Sequence, residues 1–350
     1  ALYEAPDTLL YTPGHVTKGN IHVRDGLDLK RMMITVVVAL LPCVFMAMYN
    51  TGYQANLAIG PGSAEPLDVW QMDLLLLLMG SHSAAFDPNS IYANIMHGAV
   101  WYVPVMVVTG VVGGHIEMLF AIVRKHEVNK GFLVSWFLFP LILPPTIPLW
   151  QVAIGIAFGV LFAKEVFGGT GMNVLNVALM ARAFLFFSYP AQISGDQPWY
   201  AIDGIAGDPA SIDGLSGATY LAGAAAGAID WGSQAMAVGG EQWMTAFHGF
   251  IPGSMGETSA LACLIGAAVL IATGIGSWRT MLGVTVGTAA MVLLLNGVGS
   301  ETNPMFAMPL MWHFVVGGWA FGTVFMATDP VTSAFTNKGK LIYGAGIGLM

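Results

Sequence analysis

Eight stretches of this chain are almost free of charge and close to the length that a lipid bilayer demands: residues 32–49, 91–112, 131–147, 149–163, 174–189, 259–276, 280–298 and 310–327. A bilayer core takes about 20 apolar residues in helical form, because only the chain itself can satisfy backbone N–H and C=O groups there. Only 9% of the residues are charged, against about 25% in soluble domains. The pattern predicts an all-α integral membrane protein, a multi-span helical bundle and not a barrel. A ninth apolar run starts at Leu341 and reaches Met350, so eight to nine spans are expected here. That run is too short to cross, which predicts that the chain stops inside a helix and that the natural protein continues. The opening "ALYEAPDTLLYTPGHVTKG" lacks an initiator Met and a signal-peptide pattern, which predicts missing N-terminal residues. "LDVWQMDLLLLLMG" (67–80) is short and acid-flanked, and reads as an interfacial or half-membrane helix.

The 12 Lys and Arg residues give the orientation. Lys18, Arg24, Lys30 and Arg31 precede the first span, and Arg124, Lys125 and Lys130 follow the second. Lys164 follows the fourth, Arg279 the sixth, and Lys338 and Lys340 the eighth. The alternate connections 50–90, 190–258 and 299–309 have none. Cytoplasmic loops carry the basic residues, so the N-terminus is expected inside and 190–258 outside. The chain divides into a cytoplasmic N-terminal segment (1–31), a first membrane half (32–189), an outer segment (190–258) and a second membrane half (259–350). The twelfth basic residue, Arg182, falls within a span. Either it snorkels to the inner interface, or it has a partner or lines a cavity.

Several functions are excluded. A net charge of -8 argues against nucleic acid. Cys43 and Cys263 both fall in apolar runs and cannot alone make a four-thiolate cluster. No histidine pair has metal-ligand spacing, so no transition-metal site is expected. No dinucleotide or Walker motif is present, so the chain itself is not expected to bind NADH or ATP.

Polar groups inside the apolar runs mark sites. In "EVFGGTGMNVLNVALMARAF" (165–184), Gly168, Gly169 and Gly171 interrupt the helix beside Thr170, Asn173 and Asn176. Broken helices at membrane depth line cavities or are buried in protein. Amides and exposed helix N-termini there suit a polar ring or an anion. Gly in close helix packing and Asn as interhelical glue is the other reading. "FMATDPVTSAF" (325–335) sets Asp329 among hydroxyls, which suits Na⁺ or a capped turn. Glu257 in "GSMGETSA" (253–260) stands before the sixth span, where a first-turn acid is also ordinary. "GVVGGHIEMLFAIVRKHEVNKGF" (110–132) leaves the second span through Gly113 and Gly114, with Glu117 and Phe132 following. It reads as a groove for a flat lipophilic ring or as a packed interfacial helix.

"DGLSGATYL" (213–221) lies in the base-free outer segment. It resembles the D-x-x-(S/T)-G-A-T motif at which a flavin transferase joins FMN to a threonine by a phosphoester. With "LYEAPDTLLYTPGHVTKGNIHVRDGLDLKR", "VRKHEVNKGF", "AKEVFGGTGMNVLN", "GSMGETS" and "FMATDPVTSAFTNKGKLIYG", the chain resembles, over nearly its whole length, the NqrB family of Na⁺-translocating NADH:quinone oxidoreductases. The D subunit of the Rnf complex shares the flavin motif and membrane plan, but the long segment before the first span favours the NqrB family.

The resemblance implies about ten spans in two related halves, an internal repeat, in a bacterial inner membrane, with 190–258 periplasmic. It implies covalent FMN on Thr219, with Asp213 for transferase recognition, Gly214, Gly217 and Ala218 for access, and Ser216 for the turn. The apolar stretch after Thr219 would then place a helix N-terminus at the phosphate. A noncovalent riboflavin is implied near Gly168, Gly169, Thr170, Asn173 and Asn176, although Met172 and Val177 stand where the family has Arg and Pro. Ubiquinone is implied near Gly113, Gly114, Glu117 and Phe132, and Na⁺ passage by Glu4, Glu117, Glu257 and Asp329. The implied partners are a flavin-bearing subunit at the outer face, small membrane subunits and a cytoplasmic NADH-oxidising subunit. The implied function is electron passage from FMN through riboflavin to ubiquinone, coupled to Na⁺ export. A redox-free transporter and an Rnf-type electron-transport subunit are the competing readings.

Overall fold

A computed structural model describes residues 29–62, 64–124, 131–193, 202 and 219–350. The motif residues Asp213, Gly214, Ser216, Gly217 and Ala218, together with Glu4 and nearly all of the 1–31 segment, lie outside these. The described residues are helical, without strands. The α-helices of six residues or more are α1 (Leu29–Ile59), α2 (Trp70–Met79), α3 (Ile91–Arg124), α4 (Phe132–Leu141), α5 (Leu149–Phe158), α6 (Val177–Ser188), α7 (Tyr220–Ala225), α8 (Glu241–His248), α9 (Ala260–Ala272), α10 (Trp278–Val298) and α11 (Asn337–Leu349).

Four helical stretches are long and apolar enough to cross a membrane: Arg31–Ile59, Ile91–Arg124, Leu149–Phe167 and Trp278–Val298. The other four expected spans are shorter or broken, and each break has a local cause. Residues 131–147 form only α4, because Pro140, Pro144, Pro145 and Pro148 remove backbone donors from the continuation. Residues 174–189 become helical only at Val177, where the Asn176 side chain caps α6. Residues 259–276 give the 13-residue α9, started by the Ser259 hydroxyl accepting from Ala262 N at 3.2 Å. Residues 310–327 break at Gly317 and Gly318, with φ of 68° and 71°. The half-membrane expectation for 67–80 matches the ten-residue α2.

Two π-helical turns, Gly159–Lys164 after α5 and Gly322–Met326, precede the two polar breaks. π-turns inside helices are rare and cluster at functional sites.

Two glycine-mediated crossings hold helices close. α1 and α3 run antiparallel, with Gly52 against the Asn94 backbone and Gly98 against that of Met48. Beside them Asn56 Nδ2 donates to Asn94 Oδ1 at 2.8 Å, and His97 Nδ1 meets Asn56 Oδ1 at 2.7 Å. Along α10 and α11, Gly283 and Gly287 face the backbone of Leu341 and Ala345, while Gly344 and Gly348 face Thr280 and Val284. This is small-residue packing, which lipid-embedded helices use in place of a hydrophobic driving force. The central core joins both halves through Cys43, Leu138, Phe139, Ile156, Ala181, Leu185, Cys263, Phe321 and Phe325. The thiols of Cys43 and Cys263 are free, buried and 3.9 Å apart. Ile34, Val38, Leu41 and Phe45 instead make an exposed apolar stripe along α1, the face a lipid-contacting helix presents.

Gly348→Leu would drive a side chain into the α10 backbone, whereas Gly346 has open space around it. Gly348→Leu is expected to destabilise the protein by about 1–3 kcal/mol and Gly346→Leu to leave it unchanged within about 0.5 kcal/mol. Thermal unfolding in detergent measures both.

Candidate functional site

The residues expected to act converge at two places, joined by α6. The first lies where the two breaks meet. A cavity of about 60 Å³ is lined by Lys164, Thr170, Asn173, Asn176, Thr328 and Asp329 among others. Gly168, Gly169 and Gly171 have φ of 119°, 100° and 92°, which lets the loop turn before α6. Asn176 serves both halves: its Oδ1 accepts from the backbone of Ala178 and Leu179 at 3.0 and 3.2 Å, and its Nδ2 donates to Asp329 Oδ2 at 3.1 Å. The Thr332 hydroxyl and the Val331 N–H complete the Asp329 carboxylate at 3.0 and 3.1 Å. Asn173 is engaged within its loop, accepting from Gly171 N and donating to Leu175 O. Asn176 thus bridges elements as the glue reading has it and also caps α6, and Asp329 sits in the capped turn that its sequence offered. The unspent group is the Thr170 hydroxyl, buried without a hydrogen-bond partner.

The expected quinone residues adjoin this cavity. Phe132 packs on Gly113, where a Cβ would meet its ring, but leaves Gly114 with only ordinary contact at 3.8 Å. The groove over Gly113 is therefore closed by Phe132, whereas Gly114 lies at van der Waals distance from the same ring, with room for a Cβ. Thr170 packs on Gly131, next to Phe132. Glu117, 4% exposed, forms an ion pair with Lys164, also 4% exposed. Lys164 is thus no loop charge, contrary to its sequence reading; it sits at the end of the π-turn and reaches back to α3. Arg124 adds a second pair, its Nη1 3.2 Å from Glu165 Oε2.

The second place lies about 9 Å further along α6, at a 1.5 Å rise per residue. There Arg182 has a partner and lines a cavity. Its Nη1 donates to Glu257 Oε1 at 2.7 Å and its Nη2 to Ser254 Oγ at 3.3 Å. Arg182, Ser254, Glu257, Thr258, Gly317, Gly318 and Thr219 line a cavity of about 150 Å³. Gly318 is needed there, since a Cβ would come 2.8 Å from the Glu257 carboxyl carbon. Thr219 caps α7, its hydroxyl accepting from Ala222 N at 3.3 Å. α7 has only six residues, and this cap occupies the amide of its third residue, so the helix N-terminus expected to favour a phosphate is weak. Tyr220 packs on Trp312 with the rings tilted at 40° and centroids 5.2 Å apart, and burial raises its phenol pKa, keeping it neutral. The loop before α9 is pinned from below, with Met255 N and Gly256 N donating to Leu143 and Leu141 carbonyls. Asn50 of α1 holds it from the side, through Ile251 O at 2.9 Å.

The structure therefore brings Glu117 and Asp329 to one cavity region and Glu257 to the other. Sequence reading did not single out Ser254, Asn50 or the burial of Lys164. Only the hydroxyl-rich "GSMGETS" hinted at Ser254.

Four membrane-length helices, broken shorter ones and two cavities lined in part by charged and polar side chains define a class: polytopic helical membrane proteins with polar groups at their helix breaks. The NQR2, RnfD, RnfE family matches residues 16–350, and the chain belongs to it. Its similarity lies with the B subunit (NqrB) of Na⁺-translocating NADH-quinone reductase, which is part of an oxidoreductase complex. It is 55% identical to that of Chromohalobacter salexigens over 350 residues, all of this chain and 80% of the relative. It is 56% identical to that of Ectopseudomonas mendocina and 54% to that of Stutzerimonas stutzeri, in each case over all of this chain and 83% of the relative.

Removing one member of a buried ion pair strands the other charge. Glu117→Gln is expected to destabilise the protein by about 3–5 kcal/mol, and adding Lys164→Met to restore much of that loss. A double-mutant thermal or denaturant cycle measures it; independent, additive losses would refute the pairing.

Proposed function

We propose that this chain is the NqrB-type membrane subunit of a respiratory Na⁺ pump. In this reading it carries electrons from a covalent FMN on Thr219, by way of riboflavin, to ubiquinone, coupled to Na⁺ export. Its setting is a bacterial inner membrane, with the N-terminus cytoplasmic and 190–258 periplasmic. Its partners are the other subunits of that complex, including a flavin-bearing subunit outside and an NADH-oxidising subunit inside, and a flavin transferase matures it. The observation that carries the reading is Thr219, last residue of the flavin motif, lining a cavity that Arg182 and Ser254 also line.

The residues present suit the two flavins differently. At Thr219 a guanidinium and a serine hydroxyl match the donor needs of a phosphoester. Around 168–176 the orphaned Thr170 hydroxyl and the Asn173 and Asn176 amides match the polar edge of riboflavin. The cavity of about 60 Å³ is well below the volume that a flavin ring system needs, so in this reading the glycine-rich loop opens to admit a ring. The flavins supply one-electron transfer between a two-electron donor and quinone.

The protein's own residues do the remaining work. Phe132 and Gly114 shape an apolar entry beside Lys164. Glu117, Glu257 and Asp329, with Glu4, are the acids proposed to line Na⁺ passage. The first three are each held by fixed partners, so a passing cation competes with Lys164, Arg182 or the Asn176 amide. Export of one Na⁺ against roughly 150 mV costs about 3.5 kcal/mol, within reach of rearranging one such pair. The high identity to NqrB proteins over the whole chain favours this reading over an Rnf-type subunit. A yellow, fluorescent purified protein distinguishes it from a redox-free transporter.

Wild-type chain is expected to show a UV-fluorescent band on a denaturing gel and a mass gain of one FMN less water, both lost in Thr219→Ala. A surviving band in Thr219→Ala sinks the attachment. Gly114→Val is expected to keep both flavins and raise the quinone KM about tenfold, a loss of about 1.4 kcal/mol. Unchanged quinone kinetics at normal flavin content count against the groove.

A further inference from the structure

Arg182 is a mid-helix cation whose cost inside a membrane calls for more than packing. Glu257 offsets its charge, yet an ion pair in such a place adds little stability over a well-packed apolar pair. The guanidinium has five N–H donors. Two of them are spent, one on Glu257 Oε1 and one on Ser254 Oγ. The Arg182 side chain is 28% exposed, against 11% for Glu257, so the carboxylate is the enclosed member and the guanidinium the accessible one. Among the described residues lining this cavity, Arg182 is the only cation, and Thr219 lines the same cavity.

We infer that Arg182 is the anion-receiving residue of the Thr219 cavity and holds the phosphodiester that links flavin to Thr219. This inference rests on the flavin attachment proposed above. Glu257 and Ser254 are positioning residues that fix the guanidinium plane, leaving its remaining donors to the phosphodiester oxygens. The cavity size limits what enters. About 150 Å³ is enough for a phosphodiester and the first carbons attached to it. It is below the range of pockets that enclose whole drug-sized ligands. The isoalloxazine ring therefore lies outside the cavity, and Arg182 anchors its tether without touching the ring. Glu257 then serves Arg182 first, which sets it apart from the acids at the other end of α6.

The test uses the full chain in its complex, produced with and without the flavin transferase, as wild type, Arg182→Gln and the double variant Arg182→Met/Glu257→Gln. The double variant leaves no unpaired charge, so it folds even where Arg182→Gln does not. The readout is the increase in Tm on flavinylation, with occupancy taken from gel fluorescence. Wild type is expected to gain about 3 °C or more, and both variants to gain less than a third as much at equal occupancy. A merely structural ion pair would lower Tm with and without flavin alike and leave the gain intact. A full wild-type gain in the double variant overturns the inference. A wild-type band absent from the gel overturns the attachment itself, and this inference with it, and is distinguishable because it is seen before any melting.

Discussion

One side-chain amide fixes the relation between the two halves. Asn176 caps α6 with its oxygen and donates its N–H to Asp329 in the other half. α6 starts where that amide can do both, so the position of Arg182 follows from it. Without a solvent to satisfy stray groups, a helix that starts in mid-membrane needs such a cap. Lys164, Thr170 and Asp329 line the cavity beside it.

Charge is handled in the same spirit. Glu117 with Lys164, Glu165 with Arg124 and Glu257 with Arg182 each join residues at least 41 positions apart in sequence. In a low-dielectric interior a lone charge is costly, and pairing makes it tolerable. The pairs also tie α3 to the end of the Leu149–Phe167 helix, and α6 to the loop before α9. Charge neutralisation and helix placement are therefore the same interactions.

The membrane class and the glycine break at 168–171 were legible in the sequence, because apolar length and glycine punctuation are local properties. The count of full-length spans was not. Pro144, Pro145 and Pro148 halve the third apolar run, yet hydropathy registers only that 131–147 is greasy. Thr219 and Asn176 could be singled out from motif and spacing. The pairing of Arg182 with Glu257 could not, since the two are 75 residues apart and nothing local marks one for the other. Lys164 misled for a related reason: a lysine at a span boundary looks like a loop charge until a carboxylate on another helix claims it.

The parallel contact between α10 and α11 has a consequence for biosynthesis. The glycine face of α10 is complete once Val298 is made, but its partner begins only at Asn337. At roughly 5–20 residues per second, the intervening stretch takes roughly 2–8 s to emerge. Throughout that interval a helix shaped for close backbone contact sits in lipid with its notch unfilled. Other small-residue helices leaving the same ribosome or its neighbours can occupy it. The order of translation, as much as the final packing, thus governs whether the second half assembles with its own partner.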